Sequence, residues 1–193
     1  MFRKKYDFKP DKTDPGILKK LYLTQKQRLS ICRWTLYALA LLVLSLVQDC
    51  MLSHVRIYGA TTELVSAGIL LCCVLLDPDS AGVFALISSV MYYLSGSAPG
   101  VYTIALLTVL GTLLSIFRRG YLRKGFSTTL VCAGAAMLMY QVAVFLLELF
   151  FGRTHLGRFG YFCLQGGLSI AAMPVLYPVF VSIGKIGGES WKE

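Results

Sequence analysis

Charge is what this chain has least of. Only 15% of its 193 residues are Asp, Glu, Lys or Arg, where a soluble domain carries about a quarter. Ten acids face nineteen bases, and there are two histidines, His54 and His155. No H-E-x-x-H, G-x-S-x-G or Walker loop occurs, so zinc-protease, serine-hydrolase and nucleotide-binding chemistries have no anchor. The six cysteines show no C-x-x-C spacing, and nothing pairs a nucleophile with a base. No catalytic residue, metal site or cofactor is expected.

Apolar runs fill the space that charge leaves. Hydrophobic residues make up 56% of the chain and the mean hydropathy is +0.65. The spacing predicts an all-α integral membrane protein, a bundle of about six transmembrane helices. The expected spans are 33–53, 60–76, 81–94, 99–117, 126–151 and 161–183. The second is marginal, because its purely apolar part, Leu64 to Leu76, rises only ~20 Å against a ~30 Å hydrocarbon core. The second and third spans therefore either cross fully or form a re-entrant hairpin. Trp34, Tyr37 and the Tyr92–Tyr93 pair read as interfacial belt residues. Pro174 and Pro178 should bend the last helix.

The net charge of +9 does not indicate nucleic-acid binding, since the bases sit at the ends of apolar runs. Ten precede Trp34, and Arg118, Arg119, Arg123 and Lys124 cluster in one loop. With both termini cytoplasmic, sixteen bases lie inside and three, Arg56, Arg153 and Arg158, outside. That imbalance fixes the expected orientation. Residues 1–32 then form a basic cytoplasmic segment, 33–184 the membrane domain and 185–193 a short cytoplasmic tail. Within the first segment, Ile17 to Ser30 is either an interfacial helix or an extension of the first span. No small-residue cleavage site follows the first apolar run, so a cleavable signal peptide is not expected.

Polar groups inside apolar runs each need an account. Gln48, Asp49, Arg56 and Glu63 form a candidate polar cluster at the outer end of the first two spans. Either it docks a partner or ligand, or Arg56 neutralises Asp49 or Glu63 and stitches the loop. Gly134, Gln141 and Glu148 recur every seventh residue and share one helix face. Glu148 is then within reach of Arg153 or Arg158 if the outer loop folds back. Small-residue stripes at Ala81, Ala85 and Ser89, and at Gly167 and Ala171, permit close helix approach. Gln165, Ser169 and Ala172 line a further face. The cytoplasmic set Arg118, Arg119, Arg123 and Lys124 either orients the chain or contacts anionic lipid or a cytoplasmic filament.

Several motifs, in order, resemble one family. Gln48-Asp49 closes the first span, and Gly59 precedes Glu63-Leu64 at the second. There follow Gly96-x-x-Pro99-Gly100-x-Tyr102, then Arg118-x-x-Tyr121-Leu122-x-Lys124-Gly125-Phe126, and Pro174-Val175-Leu176-Tyr177-Pro178. From Gln48 to Lys185 the chain resembles the bacterial rod shape-determining protein MreD. It departs from that pattern at Thr62-Glu63, where many members have Pro-Asp, and at Met91-Tyr92-Tyr93, where many carry an Asp. The resemblance implies a non-enzymatic, multi-pass scaffold of the bacterial cytoplasmic membrane, serving the peptidoglycan-building elongation (rod shape) complex. The partners it implies are MreC, RodA, a class B penicillin-binding transpeptidase and MreB, with membrane lipids around them. It also implies a fold similar to the S-components of energy-coupling-factor transporters, which raises a small-molecule (vitamin) binding subunit as the alternative. Such subunits dock through an Ala-x-x-x-Ala pair in the first span, whereas this chain has Ala38, Ala40 and Leu42 there.

Overall fold

The computed structural model describes residues 25–52, 60–121 and 125–186. Six helices account for most of them: α1 (Gln25–Val47), α2 (Leu64–Leu75), α3 (Pro78–Leu94), α4 (Tyr102–Tyr121), α5 (Phe126–Phe150) and α6 (Phe159–Gly184). Among the described residues there is no β-strand. Among the described residues, four helical stretches are long and apolar enough to cross a membrane: Arg28–Cys50, Tyr102–Gly120, Phe126–Phe150 and Leu156–Gly184. By that measure the sequence reading overcounts, because α2 has only 12 residues and α3 only 17. The first described helix runs unbroken from Gln25 through Cys32 and Arg33.

Local chemistry sets the ends of these elements. Pro78 opens α3 behind an extended Asp77, where a missing N–H costs nothing. The Ser80 hydroxyl and the Ala81 N–H both donate to the Asp77 carbonyl, at 3.0 and 2.7 Å. At the end of α5, Gly152 turns left-handed with φ +68. Gly152 N then donates to Leu149 O at 3.1 Å and Arg153 N to Glu148 O at 2.8 Å, closing the helix by a Schellman arrangement. The last helix runs continuously through Pro174 and Pro178.

The centre of the bundle is α2, all twelve of whose residues are buried. It touches α1, α3, α4, α5 and α6. The side chains facing away from this axis are apolar: Leu39, Leu42, Val83, Ile87, Val109, Leu113, Val131, Met139, Val175 and Val179 are all exposed. Polar residues are drawn inward instead, with Gln48, Glu63, Ser66, Gln141, Gln165 and Ser169 buried. An apolar surface of that extent needs an apolar surrounding, which gives the chain its membrane character. Tyr37 and Tyr92 are not belt residues. At 1% and 2% exposure they belong to the core. Tyr37 packs against Phe84 and Phe180 and donates to the Phe180 carbonyl at 3.4 Å.

Small residues set how closely the helices approach. The stripe Ala81, Ala85 and Ser89 is fully buried against α4, where the Ser89 and Thr108 hydroxyls lie 3.4 Å apart. Its counterpart is Gly111, at which an added Cβ would stand 2.8 Å from Cys73 Sγ and 3.1 Å from Ala85 Cβ. Gly167 is the opposite case, with nothing within 4 Å of such a Cβ.

A helical Gly→Ala exchange ordinarily stabilises by roughly 0.5–1 kcal/mol. That sign should hold for Gly167→Ala and reverse for Gly111→Ala, by about 1–3 kcal/mol of overpacking. Thermal unfolding of the two variants in detergent measures the contrast; equal midpoints would contradict the packing described.

Candidate functional site

A helix as short as α2 rises only ~18 Å, and both its ends lie inside the bundle. The amide groups of its first turn and the carbonyls of its last turn have no intrahelical partner. Neighbouring helices supply several. At the N-terminal end, Glu63 N donates to Ser169 Oγ of α6 at 2.9 Å, and Val65 N to Gln48 Oε1 at 2.9 Å. At the C-terminal end, Ser115 Oγ of α4 donates to Leu76 O at 2.8 Å, and Arg118 Nη1 donates to Val74 O.

Glu63 sits at the N-terminal pole of α2. Its Oε1 accepts from Gln165 Nε2 at 2.7 Å, and its Oε2 from Gln141 Nε2 and Ser66 Oγ, each at 3.1 Å. Its carboxyl partners among the described residues are neutral donors. Gln141 is nine residues before the end of α5, and Ser169 ten residues into α6. At 1.5 Å per residue, the Glu63 group therefore lies roughly 14 Å below the rim those helices form.

Above it opens a cleft of about 790 Å³, lined by Gln48, Asp49, Thr61, Thr62, Glu63, Ser97, Pro99, Glu148, Thr154, Arg158, Tyr161, Phe162 and Gln165. Asp49 is exposed at the rim, accepting from Ser97 Oγ at 2.5 Å and from Ser45 Oγ at 3.5 Å. The last turns of this first helical stretch, Gln48–Leu52, are π-helical, which changes the angular register of successive residues. Gln48 is buried and Asp49 exposed. On the opposite wall Glu148 accepts from the Tyr102 hydroxyl at 3.2 Å. Arg153 instead lies over the Phe151 ring at 6.0 Å, while Arg158 shares the cleft with Glu148.

The candidate residues are thus brought together in part. Gln48, Asp49 and Glu63 converge on the cleft, and Arg56 lies outside the described residues, as do Arg123 and Lys124. Of the basic set, Arg119 is exposed, whereas Arg118 is only 9% exposed and turned onto the α2 carbonyls. Its guanidinium is therefore a cap for α2 rather than an outward lipid or partner contact. A one-residue step on a helix turns the side chain by about 100°, enough to separate the two. Sequence reasoning did not link Gln141 and Gln165 to Glu63. The available signal was that each is an isolated amide in a long apolar helix, where an unpaired amide is costly and an acid is the natural acceptor. Compared with known proteins, the chain matches no family model, no curated protein and no solved structure.

Two measurements follow from these contacts. Glu63→Leu strands the Gln141 and Gln165 amides, Ser66 keeping the Glu63 carbonyl as acceptor, and should destabilise by about 1–3 kcal/mol for each donor left unsatisfied, while Glu63→Gln, which keeps an acceptor, should lose less. Arg118→Leu should lower the unfolding midpoint and Arg119→Leu leave it unchanged, because only the first removes a cap. Matching midpoints within either pair would contradict the assignment.

Proposed function

We propose that this chain is a non-enzymatic scaffold subunit of the bacterial cell-wall elongation complex, related to MreD, that binds MreC and helps position the peptidoglycan synthase. One observation carries the reading: the separated motifs of the resemblance gather into two clusters in space. Gln48-Asp49, Glu63 and the Pro99-Gly100-x-Tyr102 stretch meet around the cleft. Arg118 and Pro174-to-Pro178 lie toward the other end, where the Phe126 and Tyr177 rings make an edge contact at 4.8 Å.

In this reading all six helices sit at membrane depth, with α2 and α3 sheltered by the longer ones. The positive-inside imbalance places both termini and Arg119 in the cytoplasm and the cleft on the outer face of the cytoplasmic membrane. RodA, the class B transpeptidase and MreB complete the assembly, and lipids fill the remaining surface. Asp49 and Ser97 form the rim nearest an extracytoplasmic partner. The open side of α6 at Gly167 and Ala171 would allow a transmembrane helix to approach the backbone closely.

A second reading is favoured by the cleft itself. Its volume of about 790 Å³ is within the range of sites for small molecules, which suits a solute-binding subunit similar to an S-component. The missing first-span Ala-x-x-x-Ala pair ranks it below the scaffold. Tight vitamin binding to purified protein would reverse that order.

Co-reconstitution with MreC in lipid bilayers tests the leading reading. The expected results are co-purification from detergent and a crosslink to MreC from a photo-reactive residue placed at Asp49. Absence of association in the bilayer would remove the scaffold assignment.

A further inference from the structure

The cleft has a chemical bias. Three carboxyl groups line it: Asp49 at the rim, Glu63 on the floor and Glu148 on the wall, of which Glu63 and Glu148 lie deeper. Glu63 is held by three neutral donors and Glu148 by one phenol. Arg158 is the single cationic side chain among the described lining residues. Thr154 also lines the cleft and is buried at 5% exposure, and its hydroxyl has no hydrogen-bond partner among the described residues. A buried hydroxyl without a partner costs about 1–3 kcal/mol, so its presence on a cleft wall points to a group supplied from outside.

We propose that the cleft binds a small polar solute carrying a primary ammonium, which the Glu63 and Glu148 carboxyl groups receive while a further polar atom of the solute bonds the Thr154 hydroxyl. An ammonium offers three donors and no acceptor, the complement of two carboxyl groups whose present partners are all neutral. A charge-assisted bond of this kind is roughly twice as strong as a neutral one, and the recess below the rim screens it from bulk water. An anionic solute would meet three acids and one arginine. This inference rests on the second reading, solute binding, and adds the class of solute; it is independent of whether MreC docks elsewhere on the bundle.

The full-length protein in detergent provides the test, with Thr62→Cys as reporter in a background where the exposed Cys32, Cys50 and Cys163 are replaced by serine. Thr62 is half-buried on the cleft wall, and its side chain serves no other described contact. Its alkylation is timed with a cationic and an anionic methanethiosulfonate, each normalised to a free thiol in solution. A cleft with three acids against one arginine should favour the cationic reagent by about tenfold. Glu148→Gln should cut that preference several-fold; this acid bonds only Tyr102, so the variant keeps the interior contacts of Glu63. Pentane-1,5-diamine should slow labelling and glutarate should not. Protection by glutarate alone would overturn the ammonium class while leaving solute binding standing. Equal reagent rates with protection by neither compound would overturn both the class and the reading beneath it.

Discussion

A helix of twelve residues surrounded by longer neighbours has its backbone ends buried within the bundle. That constraint on α2 organises the rest of the molecule. Unpaired N–H and C=O groups are costly in any dry interior and costlier at membrane depth. Gln48, Ser169, Ser115 and Arg118 answer it from three different helices. Each cap fixes the axial position of the helix that carries it. The polar side chains within α1, α4 and α6 thereby act as register marks for a bundle whose other contacts are apolar and would tolerate sliding.

The same shortness produces the cleft. The neighbours α5 and α6, of 25 and 26 residues, each rise ~38 Å, about twice the length of α2. Arg118 and Ser115 tie the C-terminal end of α2 close to the end of α4, so the whole deficit in length appears at the other pole. The space above Glu63 is what remains when five helices continue past one that has stopped. Its walls are polar because the segments that line it are helix ends, where Gln48, Glu148 and Gln165 occur, together with the approach to α2 at Thr61 and Thr62.

Much of this was legible in the sequence, and the exceptions share a cause. Apolar runs located the six described helices, and a composition poor in charge gave the membrane character, because both depend only on local patterns. The seven-residue recurrence of Gly134, Gln141 and Glu148 did mark a common face: Gly134 and Gln141 are buried and Glu148 half-buried. Pairings between distant segments were not legible. Glu63 to Gln141 spans 78 residues and Glu63 to Gln165 spans 102, and no periodicity encodes which amide meets which acid. Belt aromatics failed for a related reason. Tyr37 near a helix start looks interfacial until Phe84 and Phe180 arrive from elsewhere to enclose it.

Arg118 and Arg119 show how charge counting and packing divide their labour. Both enter the imbalance of bases that sets the proposed orientation, and by charge alone they are equivalent. Yet one guanidinium faces outward, while the other is folded onto Val74 and α2. Arginine suits the inward position because its fork of five donors can reach a carbonyl without losing its charge. A cation that caps a buried helix is still a cation that resists crossing a membrane, so the two roles reinforce each other. The bundle's orientation and the placement of its shortest helix are then coupled at one residue: whichever face of the membrane holds Arg118 also holds the closed pole of α2, and the cleft must open on the opposite one.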